Sequence, residues 1–224
     1  MTAFVYEPPS GGLEVLFDDP DIVAISKPSG LLSVPGRLAQ HQDSALFRMA
    51  ATQGSLKVVH RLDMDTSGVM LFAKNNRALK SLHQQFAERS VTKIYYAWAA
   101  GKPTDHDGLV DQPLICDWPN RPRQKVDLQD GKPSQTAWKV IKSFGSHSEF
   151  ELSPITGRSH QLRVHLAHLG HPILGDRLYG NGQESARRLM LHAASICFQH
   201  PASEATICIR DESENRLKEG HLVQ

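Results

Sequence analysis

The sequence predicts an α+β chain, a mixed and largely antiparallel sheet with helices packed against it. Short apolar runs of strand-like composition recur along the chain and are bounded by Gly, Pro, Asp and Asn. These runs outnumber the helical stretches, and they seldom alternate one-for-one with helices as a parallel sheet requires. The chain is also large enough to bury a core. At 224 residues, 40% hydrophobic and 22% charged, it suits one domain or two tightly joined lobes.

Taken in order, 13–17 and 22–25 read as a hairpin turned at Asp18-Asp19-Pro20-Asp21. Residues 43–50 have helix composition, with Asp43 the expected cap. The two runs Lys57-Val58-Val59 and Val69-Met70-Leu71-Phe72-Ala73 read as buried strands. A longer helix is expected over 76–88, because Leu79, Leu82 and Phe86 follow the spacing of one buried stripe. Strands follow at 92–99, 135–141, 149–152, 193–198 and 205–209. Residues 1–12 are expected to be a flexible end, 13–210 the folded domain, and 211–224 a polar tail. Internal repeats and low-complexity tracts are absent from the sequence.

No apolar run approaches the roughly 20 residues needed to span a bilayer. The first residues lack a basic start followed by an apolar segment, so a secretion signal is not expected. Cys116, Cys197 and Cys208 are odd in number, widely spaced and without a CxxC pair, which favours reduced thiols in a cytoplasmic protein. A monomer is expected. The net charge of +1 is small for a nucleic-acid binder. Basic residues nevertheless cluster at Arg121, Arg123 and Lys125 and again at Arg158, His160, Arg163 and His165, while Asp211, Glu212, Glu214 and Glu219 gather acidity in the tail.

The most informative segment is His60-Arg61-Leu62-Asp63-Met64-Asp65-Thr66-Ser67-Gly68. It sets a basic residue, two carboxylates, two hydroxyls and a glycine in a loop between two buried runs, where a rigid scaffold can aim them. By itself such a loop could equally be a hairpin whose polar side chains satisfy backbone donors. It closely resembles the H-R-L-D-x-x-T-S-G motif of the RluA family of pseudouridine synthases. Further matches run in the family's order. Gly157-Arg158-Ser159-His160-Gln161-Leu162-Arg163-Val164-His165 is similar to its second signature, and Lys93-Ile94-Tyr95-Tyr96-Ala97 to its K-x-Y-x-A segment. Residues 21–31 resemble its opening segment, and His171-Pro172-Ile173-Leu174-Gly175-Asp176 the turn after the second signature. The stretch Pro113-Leu114-Ile115-Cys116-Asp117-Trp118-Pro119-Asn120-Arg121-Pro122 looks like the RluA subgroup itself, stand-alone enzymes acting on ribosomal and transfer RNA.

The resemblance implies a pseudouridine synthase fold with a central catalytic cleft and an isomerase that converts uridine to pseudouridine in structured RNA, in 23S rRNA, the tRNA anticodon stem-loop or both. Asp63 becomes the nucleophile or base, Tyr95 the ring stacked on the target uracil, and Arg163 the partner of Asp63. Arg61 is implied to fill the space left by a flipped-out base. His60, Thr66, Ser67, Gly68, Arg158, His160 and Gln161 complete the expected substrate contacts. Uridine isomerisation changes no oxidation state, and the chain lacks nucleotide-binding glycine loops, so neither cofactor nor metal is expected.

Spacing adds one inference of its own. On a helix after Gly157, Leu162, Leu166 and Leu169 would form the buried stripe, leaving His160 and Arg163 on roughly the opposite side and directed into a cleft. Two other classes compete. His160, His165, His168 and His171 could suggest a metal-dependent hydrolase, since His165 and His168 are three apart on that helix, but no HExxH or carboxylate-rich ligand set accompanies them. A non-catalytic RNA-binding protein is the stronger rival. It leaves unexplained a carboxylate offered to RNA phosphates by the motif that carries Asp63.

Overall fold

A computed structural model describes residues 5–180, 186–213, 217–218 and 222. The chain divides into two compact units, Met1–Val91 with Ala193–Arg216, and Thr92–His192 with Leu217–Gln224. Both are built on antiparallel strands with few helices, as expected for α+β.

The first unit opens with β1 (Glu14–Asp18) and β2 (Ile22–Lys27), paired antiparallel across the expected turn. Asp19 holds that turn by accepting from the Asp21 and Ile22 amides at 2.8 Å each. Next come α1 (Ala45–Gln53), β3 (Lys57–Val58), β4 (Ser67–Ala73) and α2 (Asn76–Ala87). After the second unit the chain returns through β11 (Leu191–Gln199) and β12 (Thr206–Arg210). The strand order is β1-β2-β4-β11, with β3 beside β4 and β12 beside β11. Every residue of β2 and β4 is buried. That explains why these strands read as continuous apolar runs rather than alternating ones. Leu82 of α2 is fully buried in a cluster with Val59, Val91 and Ile196, and Leu79 and Phe86 pack against that cluster.

Two sequence expectations need correction here. The cap of α1 is Ser44, whose extended backbone lets Oγ accept from the Phe47 amide at 3.2 Å. Asp43, one residue too early to cap, binds Arg48 instead, at 2.6 Å. The cysteines differ as well. Strand register sets Cys197 opposite Cys208 across β11–β12, and the two are joined as a disulfide. Neighbouring strands supply a proximity that an eleven-residue sequence gap does not advertise. Cys116 is a free thiol.

Near the chain start, Tyr6 is buried, donates to the Asp43 carbonyl at 2.9 Å and accepts from the Leu32 amide at 3.0 Å. Asp211 is also buried, accepting from Ser26 Oγ at 2.5 Å. Glu214 and Glu219 lie outside the described residues.

The second unit contains β5 (Thr92–Ala100), β6 (Asp107–Asp111), β7 (Leu114–Cys116), β8 (Gln124–Val126), β9 (Gln135–Phe144), β10 (His147–Pro154) and α3 (Gln161–His168). Strands β5-β10-β9-β6 form one sheet in that order, and β7–β8 a separate two-stranded one. Its core gathers Phe150 and Leu152 with Leu162, Leu166, Ile173 and Met190. Strands β6, β7 and β8 are not expected from the sequence, because each is short and only partly buried and its apolar alternation is faint.

Candidate functional site

In the first unit the loop between β3 and β4, with the first two residues of β4, carries the His60–Gly68 motif, and exposure sorts its residues. Arg61 is exposed and Asp63, Met64 and Asp65 are half-buried, whereas Leu62, Thr66, Ser67 and Gly68 are buried. The loop is held by its backbone. Ser33 Oγ donates to the Leu62 carbonyl at 2.6 Å and accepts from the Leu62 amide at 3.1 Å. Ser29 Oγ donates to the Asp65 carbonyl at 2.6 Å. The Met64 carbonyl accepts both the Gly30 amide and the Lys27 ammonium at 2.9 Å.

Lys27 is fully buried at the end of β2, and its Nζ also donates to the carbonyls of Pro28 and Leu31 at 2.9 and 2.7 Å. A buried ammonium needs such acceptors, and here they join residues 28–31 to the residue after Asp63. The Thr66 amide closes the turn on the Asp63 carbonyl at 3.1 Å. The Asp63 carboxylate is therefore carried on a braced backbone.

Several motif residues expected to touch RNA are occupied within the protein. His60 Nε2 accepts from the Leu71 amide at 3.1 Å, and its ring stacks on Phe86. Thr66 and Ser67 are at most 3% exposed. Gly68 has φ +112°, and an added Cβ would overlap the Ala193 carbonyl, so only glycine fits. Within this unit His60, Thr66, Ser67 and Gly68 are packed into the protein that shapes the loop.

In the second unit, α3 departs from the expected amphipathic helix. Gln161 through Leu166 are all buried, and His160 precedes the helix as its N-cap with φ +56°. Arg163 is 3% exposed and forms a forked pair with Asp176, Nε to Oδ2 and Nη2 to Oδ1 at 2.7 Å each. Asp176 in turn accepts the Leu178 and Tyr179 amides at 2.9 and 3.1 Å. The Arg163 guanidinium lies 5.2 Å from the Tyr179 ring centre. The carboxylate gripping Arg163 within its own unit is thus Asp176, a role that spacing along α3 could not reveal. The Tyr179 hydroxyl sits 2.7 Å from His160 Nδ1 and accepts the Gln124 amide at 2.7 Å.

Gln161, another expected RNA contact, is engaged inside this unit. It is buried, its Nε2 donates to the Gln135 carbonyl and Thr136 Oγ1, and its Oε1 accepts from Thr156 and Arg158. Arg158 itself is exposed. Tyr95 lies half-buried on β5 opposite Leu152 of β10. Burial pushes the nearby Lys93 ammonium below its usual value.

The four histidines do not converge on a common centre. His165 Nδ1 and Nε2 meet Thr136 Oγ1 and the Gln112 carbonyl, at 2.9 and 3.0 Å. His171 Nδ1 meets the Ala100 carbonyl at 2.8 Å. Among the described residues no group of three or more His, Cys, Asp or Glu side chains is placed to hold an ion. No helix among them is long and apolar enough to cross a membrane.

Residues 21–168 match the model of the RNA pseudouridylate synthase family. The Vibrio vulnificus dual-specificity RNA pseudouridine synthase RluA is 51% identical over 211 residues, covering 91% of this chain and 84% of that protein. Its Escherichia coli K12 counterpart is 50% identical over 201 residues, covering 88% and 92%. Among solved structures, human RNA pseudouridylate synthase domain containing 1 superposes with a TM-score of 0.77 at 29% identity, covering 92% of this chain and 86% of that one.

Proposed function

We propose that this chain, which belongs to the RNA pseudouridylate synthase family, isomerises specific uridines of ribosomal RNA, transfer RNA or both. The observation that carries the reading is the braced loop presenting Asp63, with Arg61 exposed two residues before it. Relatives that share half of the sequence are dual-specificity enzymes, which favours more than one RNA substrate.

The reaction breaks the N1–C1′ bond of uridine, turns the uracil and joins C5 to C1′. N1 gains a proton and C5 loses one, so the step is balanced without an oxidant or reductant. Asp63 serves as the group that attacks the nucleoside or removes a proton, dividing one difficult step into easier ones. An ionised carboxylate is needed for either role. Arg163 and Tyr95 are assigned to the same reaction by their motif matches, the first for its positive charge and the second as a flat surface for uracil. A uridine stacked in a stem-loop must first leave the stack, and Arg61 is assigned to occupy the vacated space because guanidinium both stacks and donates hydrogen bonds. Thr66, Ser67, Gly68, His60 and Gln161 act through the scaffold. We place the enzyme in the cytoplasm, where its RNA substrates are made, and as a monomer.

Pseudouridine mapping of total RNA from cells with and without the protein tests the reading. Discrete sites should disappear with the protein and return with its expression. An unchanged map would overturn the proposal.

A further inference from the structure

The hairpin β7–β8 carries at its tip a feature that the Asp63 loop and α3 do not use. Trp118 is 66% exposed, at the start of a 3₁₀ turn, Trp118–Asn120. Scattered exposed apolar residues are normal on any protein, and Leu128, Phe47 and Leu109 are exposed here too. Trp118 differs in its company. The Arg121 guanidinium lies 4.5 Å from the indole centre, covering one face. With two-thirds of the residue in solvent, the opposite face is left open.

The turn bearing this pair is braced internally. The Asp117 amide donates to the Arg123 carbonyl, the Asn120 amide to the Asp117 carbonyl and the Arg123 amide to the Asn120 carbonyl, at 2.9–3.0 Å. Asn120 Nδ2 adds a bond to Asp117 Oδ2 at 2.9 Å. The following strand is tied to the Arg163 region. Gln124 donates its amide to the Tyr179 hydroxyl, and Arg123 lies 5.5 Å from the Tyr179 ring centre. A preordered aromatic surface beside two exposed arginines is therefore fixed to the same tyrosine that packs on Arg163.

Aromatic faces and arginine are the means by which proteins hold unstacked bases and the phosphates beside them. The charge at the tip stays positive, since Arg121, Arg123 and Lys125 outnumber Asp117 and Asp127, and Asp127 pairs with Lys125 at 3.3 Å. We propose that Trp118 and Arg121 form a stacking platform for an unpaired base of the RNA substrate, a base other than the isomerised uridine, with Arg121 and Arg123 meeting the adjoining phosphates. This deepens the RNA-modifying reading and rests on it. The occupant is a nucleobase and not a peptide because the open surface is a flat ring flanked by cations, with no pocket-like apolar surround among its described contacts.

The test compares wild type with Trp118→Ala, Trp118→Tyr and Arg121→Gln on unmodified tRNA transcripts and 23S rRNA fragments, each scored for binding and for pseudouridine. Loss of a base–aromatic stack predicts roughly 5- to 150-fold weaker RNA binding for Trp118→Ala. The rate at saturating RNA should be nearly unchanged, and Trp118→Tyr should restore most of the affinity. Because Trp118 is exposed, its thermal unfolding should match that of wild type, and its emission should be quenched on RNA addition. Unaltered affinity together with unquenched emission would overturn the platform. So would concentration-dependent self-association lost in Trp118→Ala while RNA affinity stays intact, which would assign the surface to a protein contact. A wild type that binds RNA through Trp118 but makes no pseudouridine would instead overturn the function proposed above and leave the platform standing.

Discussion

The loop that carries Asp63 and the region that carries Arg163 are both rigidly held, but by opposite means. Around Asp63 the anchors act on the main chain: Lys27, Ser29 and Ser33 grip the carbonyls of Met64, Asp65 and Leu62. Around Arg163 the anchor acts on the functional side chain itself, through the fork with Asp176. The difference separates chemistry from stability. The main-chain anchors around Asp63 do not pass through its carboxylate. The Arg163 guanidinium, half of a buried ion pair, is itself an anchor, so its removal disturbs the fold.

The sharpest way to break this contrast is Arg163→Met. It strands the Asp176 carboxylate, which is buried to 2% exposure, and removing one partner of such a pair costs about 3–5 kcal/mol. Turnover should fall together with stability. Adding Asp176→Asn to that variant should recover part of the lost stability but none of the turnover, which denaturant unfolding and single-turnover rates would show. An Arg163→Met protein as stable as wild type would mean that the fork is ornamental.

Lys27→Met sharpens the other side. It leaves the Pro28 and Leu31 carbonyls without their ammonium donor, while the Met64 carbonyl keeps only the Gly30 amide, a loss of about 2–6 kcal/mol if each orphaned acceptor costs about 1–3. Hydrogen exchange at residues 62–66 should accelerate more than in β10. Equal change in both would refute Lys27 as a local brace.

His165 gives a smaller, pH-dependent effect. Burial pushes its pKa below the ordinary 6.5, assisted by the charge of His168, while the Gln112 hydrogen bond and Asp111 oppose the shift. The folded ring is thus neutral while the unfolded ring protonates near 6.5. This contribution is fully present above 6.5 and fades as pH falls through the depressed folded value, at no more than about 1.4 kcal/mol per pH unit. His165→Gln should flatten that limb of a stability–pH curve. A curve as steep as that of wild type would assign the acid sensitivity elsewhere.

The smallest effect on the fold belongs to Arg61→Ala, since Arg61 is exposed. Its unfolding should be unchanged, and its rate should drop only where the target base is stacked, where unstacking is worth a few kcal/mol. An equal loss on an already unstacked loop would remove Arg61 from base flipping.

Strands β2, β4, β5 and β9–β12 and helix α2 were legible because apolar runs and the Leu79, Leu82, Phe86 stripe reflect burial directly. Strands β6–β8 were not, because they bury little. The family was legible through its motifs, but the protein-internal partners of the motif side chains were not. Whether a polar residue points at substrate or at a backbone carbonyl depends on neighbours distant in sequence, as Ser33 is from Leu62 and Gln161 from Gln135. The anchors Lys27 and Asp176 lie within segments 21–31 and 171–176, and only their burial beside the Asp63 loop and Arg163 reveals what they hold. Cys197 and Cys208 were misread because their pairing is a matter of strand register.

The central claim is that Asp63 performs the chemistry while the braced loop performs the folding. Tritium release from RNA labelled at uridine C5 tests it most directly, comparing wild type with Asp63→Asn, alongside thermal unfolding and RNA affinity. The account predicts release by the wild type and none by the variant, because an amide neither attacks nor takes up the proton. The variant should keep the native fold, its main-chain anchors being intact, and hold RNA within about tenfold of the wild-type affinity, a difference of about 1.4 kcal/mol. Substantial tritium release by a well-folded Asp63→Asn protein would contradict it.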